Sequence, residues 1–326
     1  MRCVYKCKLR FQDSILICIC GQFHHTLIYI VNKRMEEHFQ VNAYNTSFYL
    51  TIQTSFFPNT SVAWIYNLYL GGKKKGCLLM TVTAPPNKSI DERFHSTTSH
   101  IAKLTSVKYD SQCSVHGDLA SGSGTQSMVR TLFAILQTDP RFQHVTIIHL
   151  DDASSIPCEQ NLSLSLPHSS VALNGKTWYE KYFYATMLEP MMHTMYLQRK
   201  TILQTKPPFE NIFGMFLVQY QNVNQIRDIY EAANNIIDCF NRLKEKYSNL
   251  EYCRLVGPWI RPFITELLQG IYLNGTWCIQ LSSNKSDAHI VLTKLNATPA
   301  YIDVMRGGGL WNPNSPSNTI VPWEAL

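Results

Sequence analysis

The residues best suited to chemistry lie in Asp118-Leu-Ala-Ser-Gly-Ser-Gly-Thr-Gln-Ser-Met-Val-Arg-Thr-Leu-Phe-Ala-Ile-Leu136, a glycine-punctuated turn that runs directly into an amphipathic helix. Gly122 and Gly124 permit backbone conformations closed to residues with side chains, and a helix start leaves N–H groups without intrahelical partners. Those donors and the helix dipole together favour an anion. Ser121, Gly122, Ser123, Gly124, Thr125 and Gln126 are therefore expected to cradle a phosphate. A plainer reading of the same residues is a flexible loop capped by Ser123 or Thr125.

Two further groups carry reactive side chains. His144-Val-Thr-Ile-Ile-His-Leu150 is a short run of apolar and β-branched residues that stops at Asp151 and Asp152, so it reads as a buried strand with two acids at its carboxyl end. Paired acids in that place also serve as helix caps. Downstream, a helical element beginning near Val171 carries Gly175-Lys-Thr-Trp-Tyr-Glu-Lys-Tyr-Phe183, in which Tyr179, beside Trp178, reads by itself as a packing residue. A competing arrangement joins Cys113 as nucleophile to His149 as base, with an acid orienting the ring.

The order strand, glycine turn, helix, strand is a parallel crossover unit, and ligands in such sheets sit at strand carboxyl ends and helix amino ends. Before it, residues 47–54, 61–70 and 76–83 are rich in aromatic and β-branched residues and bounded by Pro, Asn and Gly, which predicts an antiparallel meander. Residues 101–109 supply a fourth strand leading toward the glycine turn. Past Pro207-Pro208, the expected domain boundary, residues 223–247 have the spacing of one long amphipathic helix and residues 259–272 of a second. Residues 276–281 and 289–293 are expected to pair as strands. The expected organisation is a 1–34 extension, a 35–205 α/β domain with a mixed sheet, a smaller helical or α+β domain over 206–305, and a 306–326 tail rich in Pro and Trp.

Composition sets the outer limits. A chain of 326 residues that is 45% hydrophobic and 12% aromatic has ample material for packed cores. A formal charge of +6, with basic residues concentrated only at Lys73-Lys74-Lys75 and in the first ten residues, gives little support to a specific nucleic-acid surface. The ten cysteines are scattered, with no Cys-x-x-Cys pair, and read as small buried hydrophobes of a reducing compartment; disulfides belong to the secreted alternative. Cys3, Cys7, Cys18, Cys20, His24 and His25 match no compact zinc spacing, so no metal is expected. The apolar run 15–20 follows basic residues as a signal core would, but Gln22, His24 and His25 interrupt it, and no transmembrane segment is expected. Seven Asn-x-Ser/Thr sites fit a secreted glycoprotein or a composition rich in those residues. Met35 is a second candidate start.

Taken together, the meander, the Gly122-Ser-Gly124 turn with its helix, the crossover strand and Tyr179-Glu-Lys-Tyr-Phe183 resemble the general N-acetyltransferase superfamily over about residues 45–190. Leu119 and Tyr182 stand where that family has Gln or Arg and Gly. The resemblance implies an acyltransferase-like fold whose turn, residues 121–126, binds the pyrophosphate of acetyl-coenzyme A. It also implies transfer of the acetyl group to an amine substrate, with Asp151 or Asp152 accepting the amine's proton and Tyr179 protonating the departing thiolate. The string from Cys113 through Gly122-Ser-Gly-Thr, His149-Leu-Asp-Asp152, Cys158 and residues 175–183 is similar to proteins of nucleocytoplasmic large DNA viruses. That similarity implies a viral protein of the host cytoplasm or virion, and an alternative role as a non-catalytic structural or interaction protein with a protein partner.

Overall fold

Alternation of side-chain type along the strands decides the architecture. In the computed structural model, Ile52, Leu68, Met80, Leu104, Leu150 and Trp277 are cross-strand neighbours in one continuous row over six strands, and all are buried. One residue along, the row reads Gln53, Asn67, Thr81, Lys103, His149 and Cys278. Successive side chains of a strand point to opposite faces, so this two-residue period assigns one face to the core and gives the other its polar groups. The structure describes residues 5–10, 15–20, 26–30, 35–56, 64–72, 76–84, 101–107, 111–116, 119, 123–159, 162–284 and 290–296. Ser121, Gly122, Lys73-Lys74-Lys75 and the 306–326 tail lie outside them.

Tyr5–Arg10 (β1), Ile15–Cys20 (β2) and Thr26–Ile30 (β3) make a separate antiparallel three-stranded sheet. The main sheet begins with Met35–Ala43 (β4), Thr46–Phe56 (β5), Trp64–Gly71 (β6), Gly76–Ala84 (β7) and Ile101–Val107 (β8), each antiparallel to the one before. The expected meander is present, with one further strand at its start. The crossover helix Ser123–Thr138 (α1) then leads to Ile147–Asp151 (β9), which lies parallel to β8. Beyond a short hairpin, Ser155–Glu159 (β10) and Leu162–Ser165 (β11), come two helices, Leu166–Asn174 (α2) and Trp178–Phe183 (α3). Gly175, at φ +67°, ends α2 in the left-handed region, and Thr177 starts α3 with a reciprocal cap to Glu180. The single helical element read from the sequence is therefore two.

Thr186–Met187 (β12) is followed by helices Pro190–Arg199 (α4), Phe209–Gln219 (α5), Arg227–Ala232 (α6), Ile236–Lys246 (α7), Asn249–Val256 (α8) and Ile260–Leu267 (α9). The chain then returns to the main sheet. Thr276–Gln280 (β13) pairs with β9 and β12, and Val291–Lys294 (β14) pairs with β4, giving the strand order β12-β13-β9-β8-β7-β6-β5-β4-β14. Two expectations are corrected here. The strands after residue 275 do not pair with each other but join opposite ends of the larger sheet, because β13 matches its apolar Trp277 and Ile279 to Leu150 and Ile148. The long 223–247 helix is broken: Asn235 caps a new start by accepting from the Asp238 amide, and the turn before it ends α6. Helices α4 to α9 thus lie in sequence between two strands of one sheet, and α5, α7 and α9 share an aromatic cluster in which Phe213 stacks 4.7 Å from Phe263, Phe240 lies 5.8 Å from Phe263 and Trp259 meets Phe263 at 5.4 Å.

The cysteines also depart from expectation. Cys77 is bonded to Cys113 and Cys158 to Cys253, whereas Cys239 and Cys278 are free and buried. The first pair fastens residues 111–116 over the ends of β5 to β7. The Val115 amide donates to the Ser47 carbonyl there at 2.7 Å, and Gly72 lies under the same segment. A Cβ on Gly72 would stand 1.9 Å from the Gln112 carbonyl oxygen and 2.5 Å from that of Ser114, and main chain yields poorly. Gly72→Ala is accordingly expected to lower stability by about 3 kcal/mol or more, read as the urea midpoint of the full chain.

Candidate active site

The site originates in one irregularity of the ladder. Leu79 of β7 opposes Ser106 and its neighbour Met80 opposes Leu104, so Thr105 is an extra residue in β8. Such a bulge bends the strand that carries it. Pairing of β8 with β9 runs from Ile101 and Ile147 to Leu104 and Leu150 and stops there, one residue before the bulge. Beyond that point β8 stays with β7 through Val107 and Leu78, while β9 stays with β13 through Asp151 and Thr276. The two parallel strands part at their carboxyl ends.

The gap is a small, shallow cleft open to solvent and not an enclosed cavity. Residues 104–107 line one side; Leu150, Asp151, Asp152 and Ser154 line the other, together with Tyr179. Asp151, Asp152 and Tyr179, the three side chains to which the acetyltransferase resemblance assigns proton transfer, therefore share one cleft. Their surroundings differ sharply. Asp151 is exposed, accepts from the Thr276 hydroxyl at 2.7 Å and pairs with Lys103 at 3.1 Å. Partial burial pushes its carboxyl up, but the Thr276 hydrogen bond and Lys103 outweigh that and hold it below the ordinary range.

Asp152 is buried at 1% exposure. Its Oδ1 accepts from the Ser154 hydroxyl at 2.5 Å and more distantly from the Ser154 amide, and its Oδ2 has no partner. Burial raises its pKa to about 6, against the opposing effect of the Ser154 hydrogen bonds. Tyr179 is buried too, and burial first and the nearby Asp152 charge second push its hydroxyl well above the usual phenol value. The ring of Trp178 stands 4.9 Å from that of Tyr179, and Phe183 meets Phe133 of α1 at 5.4 Å, which fixes α3 against the crossover helix.

Glu180 secures the same helix from the other side. Besides closing the Thr177 cap, its carboxylate accepts from the Tyr196 hydroxyl at 2.8 Å and pairs with Lys200 at 2.5 Å. The sequence signals the cap, through Thr177 and Glu180 at capping-box spacing, but not partners 16 and 20 residues further on.

Around the glycine turn, Ser123 is exposed at the first residue of α1 and Gln126 is half-buried. Gly124 is buried, and a Cβ there would stand 2.3 Å from Leu119 Cγ, so its missing side chain makes room for Leu119. Thr125 is buried with its hydroxyl unpartnered. Residues 123–126 are not among those lining the cleft. The competing nucleophile pair is overturned: Cys113 is held in a disulfide, and His149 faces Lys103 and Cys278 across the strands. Burial holds the His149 pKa below its ordinary value.

Comparison with protein-family models, with curated proteins and with solved structures gives no match. Among the described residues, no helix is long and apolar enough to cross a membrane.

Proposed function

We propose that the chain is a coenzyme-A-dependent N-acyltransferase that moves an acetyl group from a thioester to an amine in the cleft between β8 and β9. One observation carries the reading: a bulge parts two parallel strands, and the gap holds a buried, half-satisfied carboxyl group beside a buried tyrosine. Where the ladder stops, the strand edges facing the gap can pair with an extended amide-bearing ligand such as the pantetheine arm of acetyl-coenzyme A. The diphosphate would lie toward the exposed start of α1, near Ser123.

Asp152 is favoured over Asp151 as proton acceptor, since Lys103 and Thr276 already occupy Asp151. Ionised Asp152 takes a proton from the substrate ammonium, and the neutral amine attacks the thioester carbonyl. The C–N bond forms and the C–S bond breaks, with the electron pair leaving on sulfur and the second proton of the amine nitrogen passing to solvent at the open mouth of the cleft. Tyr179 then protonates the thiolate. Because the Asp152 charge is one cause of the high Tyr179 pKa, protonation of Asp152 eases that transfer, and return of the proton from Asp152 to Tyr179 closes the cycle.

Thermal unfolding with acetyl-coenzyme A tests the reading. Saturable stabilisation is expected, reaching about 2.7 kcal/mol at a hundredfold excess over Kd. Ser123→Asp places a charge that helix starts accept but a diphosphate does not, so it should weaken the shift without lowering the unliganded Tm. No shift at millimolar cofactor would leave the non-catalytic interaction protein as the better reading; the highly exposed Tyr184, Met191 and Tyr272 are available for such a role.

A further inference from the structure

We propose that Asn45 is an N-glycosylation site, occupied as the chain matures in an oxidising lumen. Two independent observations lead there, and neither depends on the acyl-transfer reading. The first is thiol chemistry: Cys77 with Cys113 and Cys158 with Cys253 form bonds between segments 36 and 95 residues apart. Such bonds persist where the surroundings are oxidising and are rare in a reducing cytosol. Each forms when two thiols give up two protons and two electrons to a disulfide carrier, which leaves as a dithiol.

The second is the number and placement of acceptor sequences. The chain has seven Asn-x-Ser/Thr sites, where its content of Asn, Ser and Thr would produce about three by chance. Of Asn45-Thr-Ser47, Asn45 lies in the tight turn between β4 and β5, and Thr46 and Ser47 open β5. Asn45 is exposed at the apex, with φ +58°, a left-handed conformation that Asn tolerates better than most residues. A glycan there projects from the end of a hairpin without disturbing the ladder. Asn274 and Asn284 contrast with it. Asn274 has its Oδ1 buried, and Asn284 donates from Nδ2, the atom a sugar would take, to the carbonyls of Phe183 and Gln280.

The transfer needs a lipid-diphosphate-linked oligosaccharide as co-reactant. The Asn45 amide nitrogen attacks C1 of its first sugar, a C–N bond forms, the C–O bond to the diphosphate breaks, and the amide proton is lost to the transferase base as the lipid diphosphate departs.

The test is peptide mass spectrometry of the native full chain, isolated without reductant, its free thiols blocked, then treated with an amidase that releases N-glycans in heavy-oxygen water. The expected result is a heavy-labelled aspartate at position 45, unlabelled Asn274 and Asn284, and peptides linked through Cys77 and Cys113 and through Cys158 and Cys253. Asn45→Gln and Ser47→Ala, made separately in the cells that produce the chain, should each remove the mass of one glycan. The second leaves the turn residue itself in place. An unlabelled Asn45, or blocked thiols at Cys77 and Cys113 in the unreduced protein, would overturn the proposal.

Discussion

Asp152→Asn is expected to lower acetyl transfer by about 10²- to 10⁴-fold, the usual contribution of a positioned proton acceptor, while making the protein more stable at neutral pH. The two effects share one cause. In the folded chain the Asp152 pKa is about 6, against an ordinary carboxyl value of 3.8. The folded state therefore holds this proton more tightly than the unfolded one. Its contribution to stability is complete below about pH 4 and is lost as pH rises through about 6, amounting to about 3 kcal/mol over the interval. Asn carries no charge to desolvate, so the variant should gain most over wild type above pH 6 and least at pH 4. Under the proposed mechanism activity follows the opposite sign: transfer needs ionised Asp152, so the rate should fall as pH drops through about 6, with Asp152 as the group that titrates. Tyr179→Phe, which keeps the ring, should lower the rate without reproducing the gain in stability. An Asp152→Asn enzyme of normal rate would remove the carboxyl from the mechanism.

Trp259→Ala is expected to be among the most damaging substitutions for stability, costing about 3–5 kcal/mol. The indole is fully buried, its rings meet Phe213, Phe240 and Phe263 within 6.0 Å, and its Nε1 donates to the Leu255 carbonyl at 2.6 Å. Truncation opens a cavity among these rings and removes the hydrogen bond to Leu255. Urea unfolding at fixed pH reads the loss as a lower midpoint. Trp259→Phe should recover much of it. Since β13 follows this helical region and pairs with β9, a lowered midpoint seen by probes in both α9 and β13 would show that the aromatic cluster and the sheet unfold together.

The sequence made parts of this legible because those parts depend on short-range chemistry. Meander strands β5 to β8 follow from alternating β-branched and aromatic residues between turn formers, and α1 from apolar spacing after glycine. Asp151 and Asp152 were visible as the end of a short apolar strand. Their different environments were not, because Lys103 and Thr276 come from strands far away in sequence and only the assembled sheet brings them to Asp151. The Thr105 bulge was equally hidden, since one extra residue becomes visible only against its partner strand. The placement of β13 and β14 at opposite ends of one sheet depends on non-local pairing that periodicity does not encode. Gly124 shows the converse. Its residue type announced a special backbone or a close approach, and the close approach found is by Leu119.

The most direct test of the proposed cleft is amide hydrogen exchange with and without saturating acetyl-coenzyme A. Slowed exchange is expected in residues 104–107 and 150–154 and at the start of α1, with the aromatic cluster around Trp259 unaffected. Binding that protects another surface, or no protection at any concentration, would contradict the proposal.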